Sequence, residues 1–255
     1  MILTMPSELA VAYKSPTQQA RVVTERWALQ NLFCPACSAD HLSPSRTNTR
    51  AIDFGCDRCT ESFQLKAKSS PITNKVVDGA YSALMAALSS DTVPNLFLLQ
   101  YDRIVWTVVN LMLIPSFAFP PSAIECRRPL SPAARRAGWV GCFIVLSRIP
   151  ADARIGVVHE GEPIPARVVR EQYERLLPLG QIAPLKRGWT LDVLNAVRRL
   201  GKSEFTNADV YAQAQNLRAL HPENRHITDK IRQQMQILRD TGFLTHTKRG
   251  GWRLT

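Results

Sequence analysis

The sequence predicts an α/β chain in two parts: a larger core with a four-cysteine metal ribbon inserted in it, then a small α+β winged-helix domain. Three observations carry this. Two Cys-x-x-Cys pairs, Cys34/Cys37 and Cys56/Cys59, are separated by eighteen residues. Short apolar runs that suit strands (Asn95–Tyr101, Trp106–Ile114, Ile155–Val158) alternate with stretches of helical periodicity. The last 75 residues read helix, helix, helix, hairpin.

In chain order, 16–32 opens with Pro16 and places Ala20, Val23 and Trp27 on one face, which predicts an amphipathic helix with Glu25 on its polar side. The cysteine pairs follow. A two-residue spacer lets both thiolates of a pair turn toward one point, and two pairs supply the four sulfur ligands that tetrahedral zinc prefers. Such a site leaves no coordination position open, so Zn²⁺ at Cys34, Cys37, Cys56 and Cys59 is expected to be structural. Redox dithiols and unpaired core cysteines are the other readings of this spacing.

The second pair lies between two strand-like stretches, 51–54 and 62–66, so it is expected to form the turn of a hairpin. Gln64 and Lys66, two apart, project from one strand face, and Asp53 can reach the same point across the hairpin. An acid on one strand with (Asp/Glu/Gln)-x-Lys on the next is the metal site of PD-(D/E)xK nucleases. The same residues also occur on ordinary solvated strand faces, so this pattern alone does not decide between them.

Beyond the hairpin, 78–88 is expected to be helical with Asp78 as its cap, and the prolines at 115, 120, 121, 129 and 132 mark loops. Arg135, Arg136 and Trp139 stand together in RRAGW: guanidiniums hold phosphates or guanine edges, and an indole meets a methyl or a base face. A packed Trp beside an ordinary basic loop fits equally well. Residues 165–177 suit a helix, and 176–188, with two prolines and two glycines, reads as a linker, which places the domain boundary at 180/181.

The C-terminal part begins with helices at 189–200 and at 208–220, the second capped by Thr206. A third, capped by Thr228, runs to Thr241 with Ile227, Ile231, Met235 and Leu238 as its apolar stripe. Gly242 suits the position just past its end. Strands at 243–247 and 252–254 enclose the basic turn Lys248-Arg249-Gly250-Gly251. In a winged helix the third helix enters the major groove, with Lys230, Arg232, Gln233, Gln236 and Arg239 off the buried stripe and the wing's Lys248 and Arg249 along phosphates.

Charge agrees with this. The 255 residues carry a net +11; residues 181–255 hold 13 Lys/Arg against 6 Asp/Glu, and the first 180 hold 19 against 15. A polyanionic partner is expected, bound more strongly by the C-terminal part. Six cysteines, four of them metal-spaced, fit a reducing interior, and Cys126 and Cys142 are expected to be packed thiols. No signal pattern or bilayer-length apolar run occurs, so a cytoplasmic location and no membrane partner are expected.

The stretches CPAC (34–37), AIDFGCDRC (51–59), ESFQLKAK (61–68), DGAYSALM (78–85), RRPLSPAARRAGWVGC (127–142) and KIRQQMQILRD (230–240) resemble the DpnI family of restriction endonucleases. The resemblance runs in order and at matching spacing over nearly the whole chain. It implies a PD-(D/E)xK nuclease core with a zinc site (1–180) followed by a winged helix (181–255). The implied activity is cleavage of double-stranded DNA at GATC carrying N6-methyladenine. It also implies Mg²⁺ held by Asp53 and Gln64 beside Lys66, a DNA-facing role for Arg135, Arg136 and Trp139, and no obligate protein partner. One position departs: the family's second acid is a Glu, and this chain has Gln64. Loss of that charge keeps a second function open, a non-catalytic regulator that binds methylated DNA through ribbon and winged helix.

Overall fold

The computed structural model describes residues 1–45 and 51–255. A 3-10 turn at Ser7–Ala12 precedes helix α1 (Pro16–Asn31); strands β1 (Ser43–Pro44), β2 (Phe54–Gly55), β3 (Ser62–Lys68) and β4 (Lys75–Ala80) follow, then helix α2 (Tyr81–Ser89). Next come β5 (Asn95–Asp102), β6 (Thr107–Ile114), β7 (Ile124–Cys126), β8 (Gly141–Val145), β9 (Ile155–His159) and β10 (Glu162–Pro163). The remainder is α3 (Ala166–Gly180), α4 (Pro184–Arg199), β11 (Glu204–Thr206), α5 (Asn207–Tyr211), α6 (Ala214–Leu220), α7 (Ile227–Asp240), β12 (Leu244–Lys248) and β13 (Gly251–Leu254).

These elements fall into two compact units interleaved along the sequence: 1–73, 94–116 and 152–176 in one, and 74–93, 117–151 and 177–255 in the other. The expected boundary at 180 lies near the last crossing; four earlier crossings had no counterpart in the sequence reading.

The first unit is built on a seven-stranded sheet in the order β1-β2-β3-β5-β6-β9-β10. β3 and β5 are parallel and every other pairing is antiparallel. A parallel pair needs a long crossover, and here β4 and α2 occupy it. α1 packs on β3, burying Val23 and Trp27, and the Trp27 indole donates to the Ile2 carbonyl at 2.7 Å. Phe63 and Phe97, on neighbouring strands, stack at 5.6 Å.

At the start of β5, Asn95 is fully buried and meets all its hydrogen-bonding needs. Its amide donates to Glu61 at 2.7 Å and to the Ser62 carbonyl at 3.1 Å. Its oxygen accepts from the Ser116 amide at 3.0 Å and the Tyr173 hydroxyl at 3.1 Å. A buried polar group so paired escapes the desolvation cost of an unmatched one.

The second unit has two three-stranded sheets, β4-β8-β7 and β11-β13-β12. The latter forms the wing, and α4 and α7 pack together beside it through Leu191, Leu194, Val197, Ile231, Met235 and Leu238. Arg187, 5% exposed, forms a two-point ion pair with Asp91. Asp192 accepts from Ser122 at 2.5 Å and meets His221 at 2.7 Å, and Asn195 donates to the Ser147 carbonyl at 3.0 Å.

Several expectations are corrected. The strand expected at 51–54 shrinks to Phe54–Gly55, because Ala51 turns the chain at φ 58°. Asp78 is not a helix cap: it sits in β4 opposite Cys142, and its carboxylate accepts from the Gly79 amide. The linker at 176–188 is largely helical. Pro184 starts α4 at a position where its missing N–H costs nothing. Gly188 is a close-packing position, since a Cβ there would come within 2.9 Å of Pro121. The single helix expected at 208–220 is two, α5 and α6, though Thr206 caps the first through a reciprocal box with Asp209. Thr228 lies inside α7, whose N-cap is His226. Cys142 is buried as expected, but Cys126 is exposed. No helix among the described residues is long and apolar enough to cross a membrane.

Candidate metal ribbon and nucleic-acid interface

The four spaced cysteines converge. Their sulfurs lie within 4.8 Å of one another, the only group of three or more Cys, His, Asp or Glu so placed among the described residues. Sulfurs at about 2.3 Å from a tetrahedral centre stand roughly 3.8 Å apart; Cys34–Cys59 and Cys37–Cys56 are 3.5 and 3.6 Å apart. The donor set and spacing therefore suit a four-thiolate ion, and the cluster can hold zinc. Backbone bonds shape each knuckle: the Cys34 amide donates to Ala39 at 3.0 Å, and the Cys56 amide to Glu61 at 2.9 Å. Arg170 on α3 fastens the first knuckle, donating to the Cys34 and Ala39 carbonyls at 3.1 and 2.9 Å and stacking on Phe33.

The thiols differ in acidity. Burial pushes Cys34 far up and Cys59 up to about 11. Burial also acts to raise Cys56, but the backbone N–H groups of Cys59 and Arg58 together with hydrogen bonds from the Cys37 and Cys59 side chains bring this thiol down to about 7. A coordinated thiol is deprotonated outright by the ion's charge.

The second knuckle is the turn of the β2–β3 hairpin, paired Phe54 to Phe63 and Gly55 to Ser62. Continued by one residue, that register puts Asp53 level with Gln64. The Asp53 amide donates to the Phe63 carbonyl at 2.8 Å, and its carboxylate accepts from the Leu65 amide at 2.7 Å. That carboxylate is thus fixed beside the strand segment that carries Gln64 and Lys66, and all three side chains are half-buried. α1 adds two charges. Arg21 pairs with Glu25 at 2.7 Å. Its guanidinium is held above its ordinary pKa by the hydrogen bond and charge of Glu25, with a smaller contribution from Asp53.

In the second unit, the β7–β8 connection presents Arg135, Arg136 and Trp139 at its tip. The Leu130 amide donates to the Trp139 carbonyl at 2.9 Å, and the Arg136 guanidinium lies 4.3 Å over the indole. The ring rests against Gly141, where a Cβ would come within 2.8 Å of Cη2 and 2.9 Å of Cζ3. Between α7 and the wing is a cleft of about 660 Å³ lined by Asn207, Arg232, Gln236, Arg239, His246, Arg249, Gly250 and Trp252. Three guanidiniums around one concavity make a site for phosphate oxygens.

Residues 1–181 match the family model described as DpnI, Dam-replacing family. The chain belongs to the DpnI family. Residues 185–254 match a second model, the Dam-replacing HTH domain. A helix-turn-helix domain makes DNA the partner of this DpnI-family chain, in accord with its +11 charge.

The structure brings some sequence-chosen residues together and leaves others apart. Arg232, Gln236, Arg239 and Arg249 share the cleft. Lys230 and Gln233 do not line it: they bond to each other at 2.9 Å on another face of α7, with Lys230 near the Trp189 ring. Lys248 is exposed on the wing outside the cleft lining. Sequence reasoning missed Asn207 and His246. Asn207 accepts from the Trp252 indole at 2.7 Å, and His246 meets the same ring edge-on at 4.9 Å. It also missed Arg21 and Arg170: the partner of Arg21 lies on a helix face that reads as solvated, and those of Arg170 lie more than 130 residues away in sequence.

Proposed function

We propose that this DpnI-family chain is a methyl-directed endonuclease that hydrolyses double-stranded DNA at sites containing N6-methyladenine, GATC being the expected target. The observation that carries the reading is the Asp53 carboxylate, held by the Leu65 amide level with Gln64 and beside Lys66. In PD-(D/E)xK terms this is the acid on one strand and the Gln-x-Lys on the next. Asp53 and Gln64 would hold Mg²⁺ through their side-chain oxygens, and α1 carries one further acid, Glu25. Asp53 and Gln64 both offer hard oxygen donors, as Mg²⁺ requires. Mg²⁺ held there would supply positive charge at the scissile phosphate and lower the pKa of a bound water. Lys66 orients the attacking water and donates to the phosphate oxygens as their charge grows.

Residues 1–180 carry this chemistry and 181–255 a second DNA contact. Arg232, Arg239 and Arg249 hold phosphates, Lys230, Gln233, Gln236 and Lys248 extend the footprint, and Arg135, Arg136 and Trp139 face the methylated base. Zn²⁺ on the four cysteines is structural, and no obligate protein partner is required. One observation favours the second reading, a methyl-DNA-binding regulator: the neutral Gln64 leaves Asp53 as the only acid at this point of the hairpin.

The test is incubation with methylated and unmethylated plasmid, with Mg²⁺ and with EDTA. Cleavage of methylated plasmid alone, abolished by EDTA and by Asp53→Ala or Lys66→Ala with binding retained, is the expected result. Binding without cleavage at any Mg²⁺ or Mn²⁺ concentration hands the function to the regulator.

A further inference from the structure

The hairpin that carries Arg136 and Trp139 has a cysteine on each strand at its base. Cys126 ends β7, Cys142 lies in β8, and the two are register partners. The Arg127 amide donates to the Gly141 carbonyl at 3.0 Å, and this bond flanks the cysteine pair. In an antiparallel ladder that arrangement marks a non-hydrogen-bonded pair, whose Cα atoms stand about 4.5 Å apart with side chains on one face. Disulfides span Cα separations of about 4.4–6.8 Å, so the backbone needs no rearrangement to accept one here.

Burial agrees that the two side chains share a face. Ile124, Cys142 and Ile144 are buried on it, and Cys126 is exposed at its rim. The opposite face carries Glu125, Phe143 and Lys75, the last paired with Glu125 and lying over the Phe143 ring. Each sulfur now makes a long contact to a carbonyl, Cys126 to Arg127 and Cys142 to Gly79, both at 3.5 Å. Such thiol bonds are weak, and rotation about χ1 can turn the exposed Cys126 sulfur toward Cys142.

We propose that Cys126 and Cys142 are a redox-active dithiol that closes to a disulfide and locks the base of the Arg135–Trp139 hairpin. The oxidant is a low-molecular-weight disulfide. The exposed Cys126 thiolate attacks it, forms a mixed disulfide and expels one thiolate. The buried Cys142 thiolate then attacks the Cys126 sulfur and expels the second. Two protein thiols become one S–S bond, and the oxidant leaves as two thiols that take up the protons. The ring so closed encloses Arg127–Gly141, fifteen residues, including every residue of the proposed methyl-facing tip. Inside a reducing compartment disulfides of this kind are transient and regulatory.

The experiment uses the full-length zinc-bound protein treated with oxidised glutathione. Intact mass should fall by two hydrogens, and peptide mapping without reductant should join Cys126 to Cys142 while the four ribbon cysteines stay unmodified. Amide exchange at Leu130 and Trp139 should slow severalfold and recover on adding dithiothreitol. Cys126→Ser, at an exposed position, should keep the fold and abolish both effects. Accumulation of a glutathione adduct on Cys126 without the cross-link overturns the proposal, as does a cross-link that leaves those two amides exchanging at the reduced rate. Either failure leaves the endonuclease reading untouched.

Discussion

The sharpest test of the proposed methyl contact at Trp139 is a single methyl added to the protein. In Gly141→Ala the new Cβ would stand 2.8 Å from Cη2 and 2.9 Å from Cζ3 of Trp139, where ordinary contacts begin near 3.4 Å. The indole must therefore retreat by about 0.6 Å, the difference between those distances, or swing away from Arg136, which lies 4.3 Å over it. A buried methyl is worth about 0.8 kcal/mol, or about fourfold in discrimination. If Trp139 supplies that contact, Gly141→Ala should lose about fourfold of the preference for methylated DNA. Affinity for unmethylated DNA should stay the same. The assay is competition binding between duplexes that differ only in one N6-methyl group, at fixed salt. In a Trp139→Ala background the same substitution should change nothing further, because the atoms it displaces are gone. A wild-type ratio in Gly141→Ala, or an equal loss in both backgrounds, refutes the reasoning.

Five further outcomes are expected. Cys56→Ser should lose both zinc and folding, read by elemental analysis and circular dichroism, since the second knuckle closes the hairpin that carries Asp53 and Lys66. Arg232→Ala should weaken DNA binding and lower the salt-dependence slope by about one unit, as expected for one lost phosphate contact. Gln64→Glu should lower the Mg²⁺ concentration needed for cleavage, measured by titration, because the hard cation prefers a carboxylate to an amide oxygen. Thr206→Ala should cost about 1 kcal/mol in denaturant melts through loss of the α5 cap. Its partner Asp209 is held well below the usual carboxylate range by Lys202 and Thr206. The stability this adds is present above the ordinary Asp range and lost as pH falls through the lowered value, so Asp209→Asn should destabilise at neutral pH and not in acid.

The ribbon was legible because cysteine spacing encodes ligand geometry directly, and α7 because Ile227, Ile231, Met235 and Leu238 repeat at helical steps. Both signals are local. What failed was decided by partners distant in sequence. Asp78 has the composition of a cap, yet pairing with Cys142, 64 residues on, draws it into a strand. The glycines and prolines at 176–188 suggested a linker, but Gly188 is small because Pro121 sits against it. Asp53 was proposed from pattern, whereas the Leu65 amide that fixes its carboxylate is a backbone group no side-chain pattern reveals. His246 lines the cleft only because the wing folds back toward α7, and β11 escaped notice because three residues carry too little periodicity to read.

The interleaving of the two compact units bears on how the chain is made. The second unit draws on 74–93 and 117–151 as well as 177–255, and its early segments depend on late partners: Asp91 on Arg187, Ser122 on Asp192, Ser147 on Asn195. On a ribosome adding about 5–20 residues per second, the last 79 residues take roughly 4–16 s. For that interval β4, β7, β8 and α2 exist without the helices that complete their core. The nascent chain thus passes through a stage at which the ribbon and much of the first unit's sheet have been synthesised while the second unit waits. An arrested or degraded tail removes more than a DNA-binding appendage, since it strands segments that lie in the middle of the sequence.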